Sequence, residues 1–543
     1  MLGQMMHRPL MISDIITYAA EMHPQGELVS VRTEGDIHRQ TYAETGARVA
    51  QLSHALRAHG IKVGDRVATL AWNGYRHFEL YYAVSGIGAV CHTINPRLSA
   101  EQLIYIVNHA GDKVMCVDTT FVPILEAVRD HLPHGMTYVI MTDRAHMPEN
   151  TLDALCYEEL LEGQPTVIDW PEFDENTAAG LCYTSGTTGN PKGALYSHRS
   201  TVLHALFEAM TLGPSIPPES KILPVVPLFH VNAWGLPYFA PLMGHSLIMP
   251  GGALDGPSLF KLMDSESVFS AWGVPTVWLG LAGEIEAQGR KPDNFGHMVV
   301  GGSAAPRMMI ERFEKMGVDV VHAWGMTEMS PIGTHGTMPK WVAEQPFEKM
   351  IDYKALQGRR IFGVDLKIVD EDGNRQPHDG QSAGELYVRG NAIVSGYYNN
   401  AEASQEAMDA DGWFGTGDVA VITPDGFLSI QDRAKDLVKS GGEWISSIDL
   451  ENAAVSHPAV ANAAVVAVPH PKWDERPVLI AVPAGSDRPS LEEMHEHMSE
   501  HFAKWQLPDD LIWVDELPLT ATGKVSKLNL RRTMGDYRLP DQR

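Results

Sequence analysis

Between residues 60 and 145, apolar runs of strand length alternate with stretches that have the spacing of amphipathic helices. The run Arg66 to Trp72 predicts a strand, and the turn pair Asn73-Gly74 separates it from a helix that reaches Ala89. Alternation of this kind is typical of parallel sheets covered by helices.

A capping box marks the next helix, because Ser99 and Gln102 precede an apolar stretch that ends near Gly111. Another helix is predicted near Val122 to His131. The remaining apolar runs predict buried strands at Lys113 to Asp118, Thr137 to Thr142, Ala178 to Tyr183, Lys221 to Pro227, His245 to Met249, Met298 to Val300 and Val318 to Ala323.

The pattern changes after residue 350. Short strands alternate there with Gly, Pro and Asp turns up to about residue 431, which predicts a β-rich subdomain. The last stretch predicts a compact α+β unit of roughly a hundred residues, in which Ser490 and Glu493 form a second capping box. We therefore expect an α/β fold with a large N-terminal domain of helix-covered sheets and a smaller C-terminal domain, divided near residues 431 to 436.

Length and charge narrow the classes of function. With 543 residues the chain is too long for one ordinary core, so two or three domains are expected. Its 42 basic and 68 acidic residues give a formal net charge of −26, which repels nucleic acid and anionic membranes. The same charge repels ATP or coenzyme A at long range, so a site for either must carry its own positive groups.

The cysteines show no paired or metal-ligand spacing, and their apolar surroundings predict buried reduced thiols at Cys91, Cys116, Cys156 and Cys182. No apolar stretch reaches the ~18 residues that a membrane-spanning helix needs. The Met-rich N-terminus contains Asp14 and lacks a long apolar core, so it does not resemble a signal peptide. We expect a cytoplasmic protein without integral membrane contact.

Residues Thr184 to Gly193 read Thr-Ser-Gly-Thr-Thr-Gly-Asn-Pro-Lys-Gly and directly follow a predicted strand. Glycines let backbone N–H groups close on a ligand, hydroxyls donate further hydrogen bonds, and Lys192 adds a positive charge. Together they predict a loop that wraps a polyphosphate. Because Pro191 stands where a Walker A loop continues with Gly-Lys-Ser/Thr, this is a different phosphate loop. A flexible surface loop is the alternative.

Two further motifs follow predicted strands, at the sheet edge where ligands bind in open α/β folds. In Trp324 to Glu328 (Trp-Gly-Met-Thr-Glu), the indole can stack on a purine, the threonine can donate to a phosphate, and the carboxylate suits Mg²⁺. The small residues of Gly301 to Pro306 admit a flat base or an acyl group close to the backbone. A helix cap and a tight turn are the structural alternatives.

Three charged residues closer to the C-terminus complete the candidate site. Asp418, at the end of a Gly-Thr-Gly-Asp turn, can accept both hydroxyls of a ribose. Arg433 can bridge the same ribose or a phosphate, and Lys524 follows a Thr-Ala-Thr-Gly turn. Taken singly, such residues are more often a turn carboxylate, part of a solvated linker and a surface lysine.

In this order and spacing, the motifs resemble those of the acyl-activating, or adenylate-forming, superfamily over about residues 30 to 535. Within it the chain resembles fatty-acyl-type CoA ligases and, more loosely, medium-chain and 3-(methylthio)propionate CoA ligases, including along residues 440 to 451. The resemblance implies two half-reactions that use ATP, Mg²⁺ and coenzyme A. A carboxylate attacks the α-phosphate to give acyl-adenylate and pyrophosphate, and the CoA thiol then displaces AMP.

The resemblance also implies residue roles. Lys524 would bridge the acid carboxylate and the α-phosphate, Glu328 would bind Mg²⁺, and Thr184 and Lys192 would act on the β- and γ-phosphates. Trp324, which replaces a common tyrosine, would flank adenine. The nucleotide and coenzyme A ligands implied are Thr184, Ser185, Gly186, Thr187, Thr188, Gly189, Lys192, Gly302, Ser303, Ala304, Ala323, Trp324, Gly325, Met326, Thr327, Asp418, Arg433, Lys439, Ser440, Gly441 and Gly442.

In the family, the small C-terminal domain is mobile and swings between the two half-reactions. The resemblance assigns residues 1–431 to the ATP- and acyl-binding N-terminal domain, 432–436 to a hinge and 437–543 to the mobile domain. The pivot would be Lys435, where many relatives carry aspartate. The swing would withdraw Lys524 and bring in the loop 440–442, whose backbone can line the pantetheine tunnel.

The segment Pro227 to Trp234 matches the family's acyl pocket and thiol entrance, which implies four acid-binding residues: His230, Val231, Asn232 and Trp234. Bulky Trp234 would shorten the pocket and favour a short or medium acid, including one with sulfur in its chain; a tryptophan that faces elsewhere in the core is the alternative.

An adenylation enzyme that loads a carrier protein and a catalytically silent nucleotide-binding regulator are rival functions. Relatives are often dimers, which leaves a homodimer as an open prediction.

Overall fold

The computed structural model of the chain describes residues 1, 3–184, 190–441, 443–499, 502–520, 524–535 and 537–540. Its first third alternates strands and helices as the sequence predicts, and the Ser99–Gln102 capping box is present ahead of a helix that ends on the left-handed Gly111. The elements are α1 (Ile12–Met22), β1 (Glu27–Val31), β2 (Ile37–Thr41), α2 (Tyr42–Ala58), β3 (Arg66–Leu70), α3 (Tyr75–Gly86), β4 (Val90–Thr93), α4 (Ala100–Ala110), β5 (Val114–Val117), α5 (Val122–Val128), β6 (Thr137–Ile140), β7 (Leu155–Cys156) and α6 (Tyr157–Leu161).

The middle of the chain continues the alternation and supplies most of the candidate site. Its elements are β8 (Ala178–Thr184), β9 (Lys192–Ser197), α7 (His198–Leu212), β10 (Lys221–Pro224), α8 (Leu236–Met243), β11 (Ser246–Met249), α9 (Gly256–Ser265), β12 (Ser270–Gly273), α10 (Pro275–Gln288), β13 (His297–Val300), α11 (Arg307–Lys315), β14 (Asp319–Gly325), β15 (Ile332–His335), α12 (Lys340–Ala343) and α13 (Phe347–Ala355).

Two large sheets form the body of the N-terminal part. A seven-stranded sheet has the order β7-β6-β5-β3-β4-β8-β9, and it is parallel except for the β8–β9 hairpin. A nine-stranded sheet runs from a short edge strand, Arg359–Arg360, through β15, β14, β13, β12, β10, β11 and β1 to β2, with antiparallel strands at its two edges. Every residue of β4, β5, β11, β12 and β13 is buried, as expected for strands covered on both faces.

A four-stranded antiparallel sheet confirms the predicted β-rich subdomain. Its strands follow one another in space as in sequence, and β16 instead extends the edge of the nine-stranded sheet. The helix α14 lies between the second and third strands. These elements are β16 (Arg359–Arg360), β17 (Val364–Val369), β18 (Ala383–Gly390), α14 (Ala401–Ala407), β19 (Phe414–Ile422) and β20 (Leu428–Arg433).

The C-terminal part has its own five-stranded sheet with apolar clusters on both faces, which gives it a separate core. The second predicted capping box, Ser490 with Glu493, is present at the start of α16. The elements are β21 (Val438–Ser440), β22 (Glu443–Ile445), α15 (Ser447–Val455), β23 (Val460–His470), β24 (Asp474–Pro483), α16 (Leu491–Met498), β25 (Asp510–Trp513) and α17 (Lys527–Thr533).

A buried carboxylate joins the two parts. The residues around Arg433 were open to interpretation as a solvated linker, but Asp432 is only 1% exposed and lies inside β20. Its Oδ2 accepts a hydrogen bond of 2.7 Å from the backbone N–H of Ser447, at the first turn of α15. The hydroxyl of Ser446 donates to the carbonyl of Gln431 at 2.6 Å. The strand that carries Arg433 is therefore fixed to the C-terminal part in this orientation.

The cysteine prediction is confirmed, because all four thiols are buried and unpaired. Among the residues that the structure describes, none of the helices combines the length and the apolar character needed to cross a bilayer.

Candidate active site

The predicted phosphate loop closes a hairpin between β8 and β9. Thr184 and Lys192 lie opposite each other in the antiparallel ladder, so both flank the intervening loop. Ser185, Gly186, Thr187, Thr188 and Gly189 lie outside the described residues, as does Gly442 of the C-terminal loop.

Tyr397 joins the lysine of this hairpin to the predicted magnesium ligand. Its hydroxyl donates to Oε1 of Glu328 at 2.8 Å, and the Nζ of Lys192 lies 5.0 Å from the centre of its ring. The backbone N–H of Tyr398 donates to the carbonyl of Gly193 at 2.8 Å, which fixes the tyrosine segment to the hairpin. Sequence reasoning missed Tyr397, because its hydroxyl meets Glu328 only after the subdomain packs on the sheet.

Glu328 is 5% exposed, and burial raises the pKa of its carboxyl against the opposing effect of the Tyr397 hydroxyl. The described residues contain no cluster of three or more His, Cys, Asp or Glu that could hold a metal. A cation here would combine one protein carboxylate with phosphate oxygens and water, which is how Mg²⁺ commonly binds. The donor set therefore fits Mg²⁺ that arrives with a nucleotide.

The residues predicted to bind adenine and ribose form one hydrogen-bonded group. The sequence predicts that Trp324 follows its strand, and this is wrong. Trp324 belongs to β14, which continues to Gly325 and pairs there with β15. Its indole Nε1–H donates to Oδ2 of Asp418 at 3.0 Å. Oδ1 of Asp418 pairs with Nε of Arg433 at 2.9 Å across the β19–β20 ladder. Burial raises the pKa of Asp418, while the Arg433 guanidinium opposes this shift.

Lys524 comes from the C-terminal part and reaches this group. A Cβ built on Gly302 would lie 3.6 Å from Cε of Lys524, so the lysine stem passes close to the glycine turn after β13. Burial and the Arg433 guanidinium lower the pKa of Lys524 to about 8, against the opposite effect of Asp418 and Glu328. The structure thus brings together the three charged residues that the sequence predicts for the site: Asp418, Arg433 and Lys524.

Two of the acyl-pocket candidates, His230 and Trp234, lie close to Lys524 or to the glycine turn beside it. Burial and the nearby Lys524 ammonium lower the pKa of His230 to about 3, so its ring is neutral. A Cβ on Gly301 would lie 3.3 Å from Cη2 of Trp234, which places the indole against the glycine turn. Of the two interpretations of this tryptophan, the structure favours the one in which it faces the site.

The backbone that carries these residues is strained. Val231, Asn232, Ala233 and Trp234 have φ values of 50°, 52°, 46° and 58°, all in the left-handed region. This conformation costs an L-residue roughly 1–2 kcal/mol. Strain of this size persists where the surroundings impose it, commonly at ligand sites. The sequence gives no signal for the turn, since its only glycine, Gly235, comes last.

The predicted coenzyme A loop and hinge contact the C-terminal part. The carboxylate of Glu475 accepts the backbone N–H of Lys439, Ser440 Oγ accepts from Arg476 at 2.9 Å, and Gly441 donates to the carbonyl of Trp473. The carbonyl of Lys435 accepts from Nη1 of Arg531 at 3.1 Å. The side chain of Lys524 lies near the residues predicted to bind the nucleotide.

Comparison with known proteins finds two matching family models. The family model of the AMP-binding enzyme matches residues 16–398, and that of the AMP-binding enzyme C-terminal domain matches residues 449–524. The chain is 50% identical to a 3-methylmercaptopropionyl-CoA ligase of Ruegeria lacuscaerulensis, over 99% of each protein. It is 49% identical to a medium-chain-fatty-acid–CoA ligase of Ectopseudomonas oleovorans, over 99% of this chain and 98% of the relative. A solved anthranilate CoA ligase in complex with anthranoyl-AMP shares the fold, with a TM-score of 0.86 over 97% of this chain and 98% of that chain at 23% identity.

Proposed function

We propose that this chain, which belongs to the AMP-binding enzymes and is an AMP-forming acyl-CoA ligase, acts on a short- or medium-chain carboxylic acid. The observation that carries the choice of acid is the position of the Trp234 indole against the Gly301–Gly302 turn, next to the Lys524 stem. A side chain as bulky as tryptophan there would shorten an acyl pocket. Names of the two relatives described above favour 3-(methylthio)propionate and medium-chain fatty acids as the first candidates.

In the first half-reaction, an oxygen of the acid carboxylate attacks the α-phosphorus of ATP, and the bond to pyrophosphate breaks. Two anions must meet, so positive groups and N–H dipoles have to offset the charge that builds at the α-phosphate. We assign this role to Lys524, with Lys192 and Thr184 at the outer phosphates. Asp418 and Arg433 hold the ribose and Trp324 flanks adenine. Mg²⁺, when bound at Glu328, offsets charge on the phosphates.

In the second half-reaction, the sulfur of coenzyme A attacks the acyl carbon, the bond to AMP breaks and the thiol loses its proton. We propose that residues 437–543 turn about Lys435 between the steps. Two features support this division: β20 ends at Arg433 before β21 begins at Val438, and the C-terminal part has a core of its own. This rotation would withdraw Lys524 from the site and bring in the 439–442 loop.

Release of AMP with linear acids from propanoate to dodecanoate and with 3-(methylthio)propionate, each with and without coenzyme A, tests the proposal. We expect multiple turnovers only with coenzyme A, and the highest kcat/KM among the short and medium acids. Turnover that requires a carrier protein's pantetheine arm would favour the carrier-loading alternative. A preference for dodecanoate would contradict the assignment of the acid.

The pH dependence of ATP capture follows from Lys524. Its pKa of about 8 means that the ammonium, present below that pH, is lost as the pH rises through it. Since kcat/KM reports the free enzyme, we expect kcat/KM for ATP in pyrophosphate release to fall above about pH 8 by up to tenfold per pH unit. In Lys524→Arg the guanidinium stays charged, so this fall should disappear. A flat wild-type profile up to about pH 9.5 would contradict the role of the ammonium.

Tyr397 should matter for metal-nucleotide binding. Tyr397→Phe removes the hydroxyl that orients Glu328, and a hydrogen bond to a charged group is worth about 1.5–3 kcal/mol, so KM for Mg·ATP should rise by roughly tenfold or more. Steady-state kinetics with Mg·ATP varied measures this. Tyr398→Phe is the matched control, because Tyr398 contacts the hairpin through its backbone. An equal rise in both variants would refute the role of the hydroxyl.

A cytoplasmic location and a homodimer remain predictions for this chain. Sedimentation equilibrium of the purified protein would measure the second directly.

A further inference from the structure

The left-handed turn at the acyl entrance rests on one buried side chain. Glu208 of α7 is 1% exposed, and neither of its carboxyl oxygens has a hydrogen-bond partner among the residues that the structure describes. A Cβ on Gly235 would lie 2.8 Å from Cδ of Glu208, so the carboxyl packs directly against the backbone of Gly235. Burial raises the pKa of the Glu208 carboxyl well above its usual value, which disfavours the charged form.

His204, one helical turn earlier, lies close to this carboxyl and also contacts the segment that follows Glu328. Its Nε2 accepts the backbone N–H of Ile332 at 3.0 Å, and Ile332 follows the Thr327–Met329 turn that carries Glu328. Burial lowers the pKa of His204 to about 3, so the ring is neutral and its proton lies on Nδ1. That nitrogen faces Oε2 of Glu208 at 3.6 Å.

The same turn also contacts the glycine motif. Trp234 lies against Gly301 and Gly302, and Gly302 is also the neighbour of the Lys524 stem. The turn therefore has two sets of contacts, Glu208 at Gly235 and the glycine motif at Trp234. Since none of the four residues with unfavourable φ values is a glycine, loss of the Glu208 contact should let the turn relax.

We propose that Glu208 is a positioning residue that fixes the left-handed turn relative to Gly301 and Gly302 and so sets the chain length of the acid that the site accepts. The inference rests on the proposed function, because it assumes that the space beside Trp234 receives the acyl chain. Glu208 itself does not touch the reacting atoms.

The test compares kcat/KM for octanoate and butanoate in the full-length protein and in Glu208 variants. In Glu208→Ala the turn can move into the space that the carboxyl leaves, and Trp234 then moves away from Gly301 and Gly302. We expect the octanoate-to-butanoate ratio to rise by about tenfold or more, the order that methylene recognition supplies in an apolar pocket. The change should lie in KM for the acid, with KM for ATP unchanged. Glu208→Gln, which keeps the shape, should restore the parent ratio.

Two further variants separate positioning from general stability. Leu212→Ala opens a cavity in the same helix at an equally buried residue and should leave the ratio within about twofold. Should Glu208→Ala fail to fold, Glu208→Asp retracts the carboxyl by one methylene and should raise the ratio in the same direction. Ratios that stay at the parent value in every folded Glu208 variant, or an equal shift in Leu212→Ala, would overturn the proposal. Absence of CoA ligation in the parent would instead count against the proposed function.

Discussion

Replacement of Lys524 by alanine should abolish acyl-adenylate formation while thioester formation from preformed acyl-AMP stays largely intact. A well-placed donor to the developing charge is typically worth roughly 10²–10³-fold in rate, so the first half-reaction should fall at least that far. The second should not, because the proposed turn of the C-terminal part removes Lys524 from the site before the thiol attacks. Pyrophosphate exchange measures the first step, and release of AMP from synthetic acyl-AMP with coenzyme A measures the second.

Lys504→Ala provides the control for this prediction, since it removes an exposed lysine from the same part of the chain. Both half-reactions should proceed at the parent rate in that variant. Equal losses in the two steps of Lys524→Ala would refute the assignment of Lys524 to the α-phosphate.

Replacement of Lys435 by proline should have the opposite selectivity and slow thioester formation far more than adenylation. Proline fixes φ at about −65°. If the orientation used for thioester formation needs a different φ at residue 435, a cost of about 3 kcal/mol would lower the rate of that step roughly 10²-fold. The contact with Arg531 runs through the carbonyl of Lys435, which proline retains. The same two assays, pyrophosphate exchange and thioester formation from acyl-AMP, measure the split.

Lys435→Ala is the matched control, because it removes the ammonium and leaves the backbone free to rotate. Thioester formation in that variant should stay close to the parent rate. If Lys435→Pro loses pyrophosphate exchange together with thioester formation, rotation at this residue is not what the second step needs.

Much of the fold was predictable because its signals are local. The strand-helix alternation and the Ser99 and Ser490 capping boxes need only neighbouring residues, and the structure reproduces them. Strand ends were less predictable. Trp324 remains in β14 because it pairs with Thr334 of β15, and Asp432 remains in β20 because it pairs with Val419. Both pairings join segments whose contact a single run of sequence does not encode.

The charged residues of the candidate site were predictable as a set, but the side chains that position the site, Tyr397 and Glu208, were not. Asp418 and Arg433 were each assigned to ribose, and the structure adds that they form an ion pair of 2.9 Å. Tyr397 and Glu208 carry no motif of their own. Their importance follows from contacts made across elements: the Tyr397 hydroxyl donates to Glu328, and the buried Glu208 carboxyl packs against Gly235.

The central claim is that an amine from the C-terminal part completes the nucleotide site of the N-terminal part. A crystal structure with the acid and α,β-methylene-ATP, in which pyrophosphate cannot leave, tests it most directly. The account predicts Nζ of Lys524 within hydrogen-bond distance, about 2.7–3.2 Å, of an α-phosphate oxygen. A structure in which both ligands occupy the site while Lys524 lies away from the α-phosphate would contradict it.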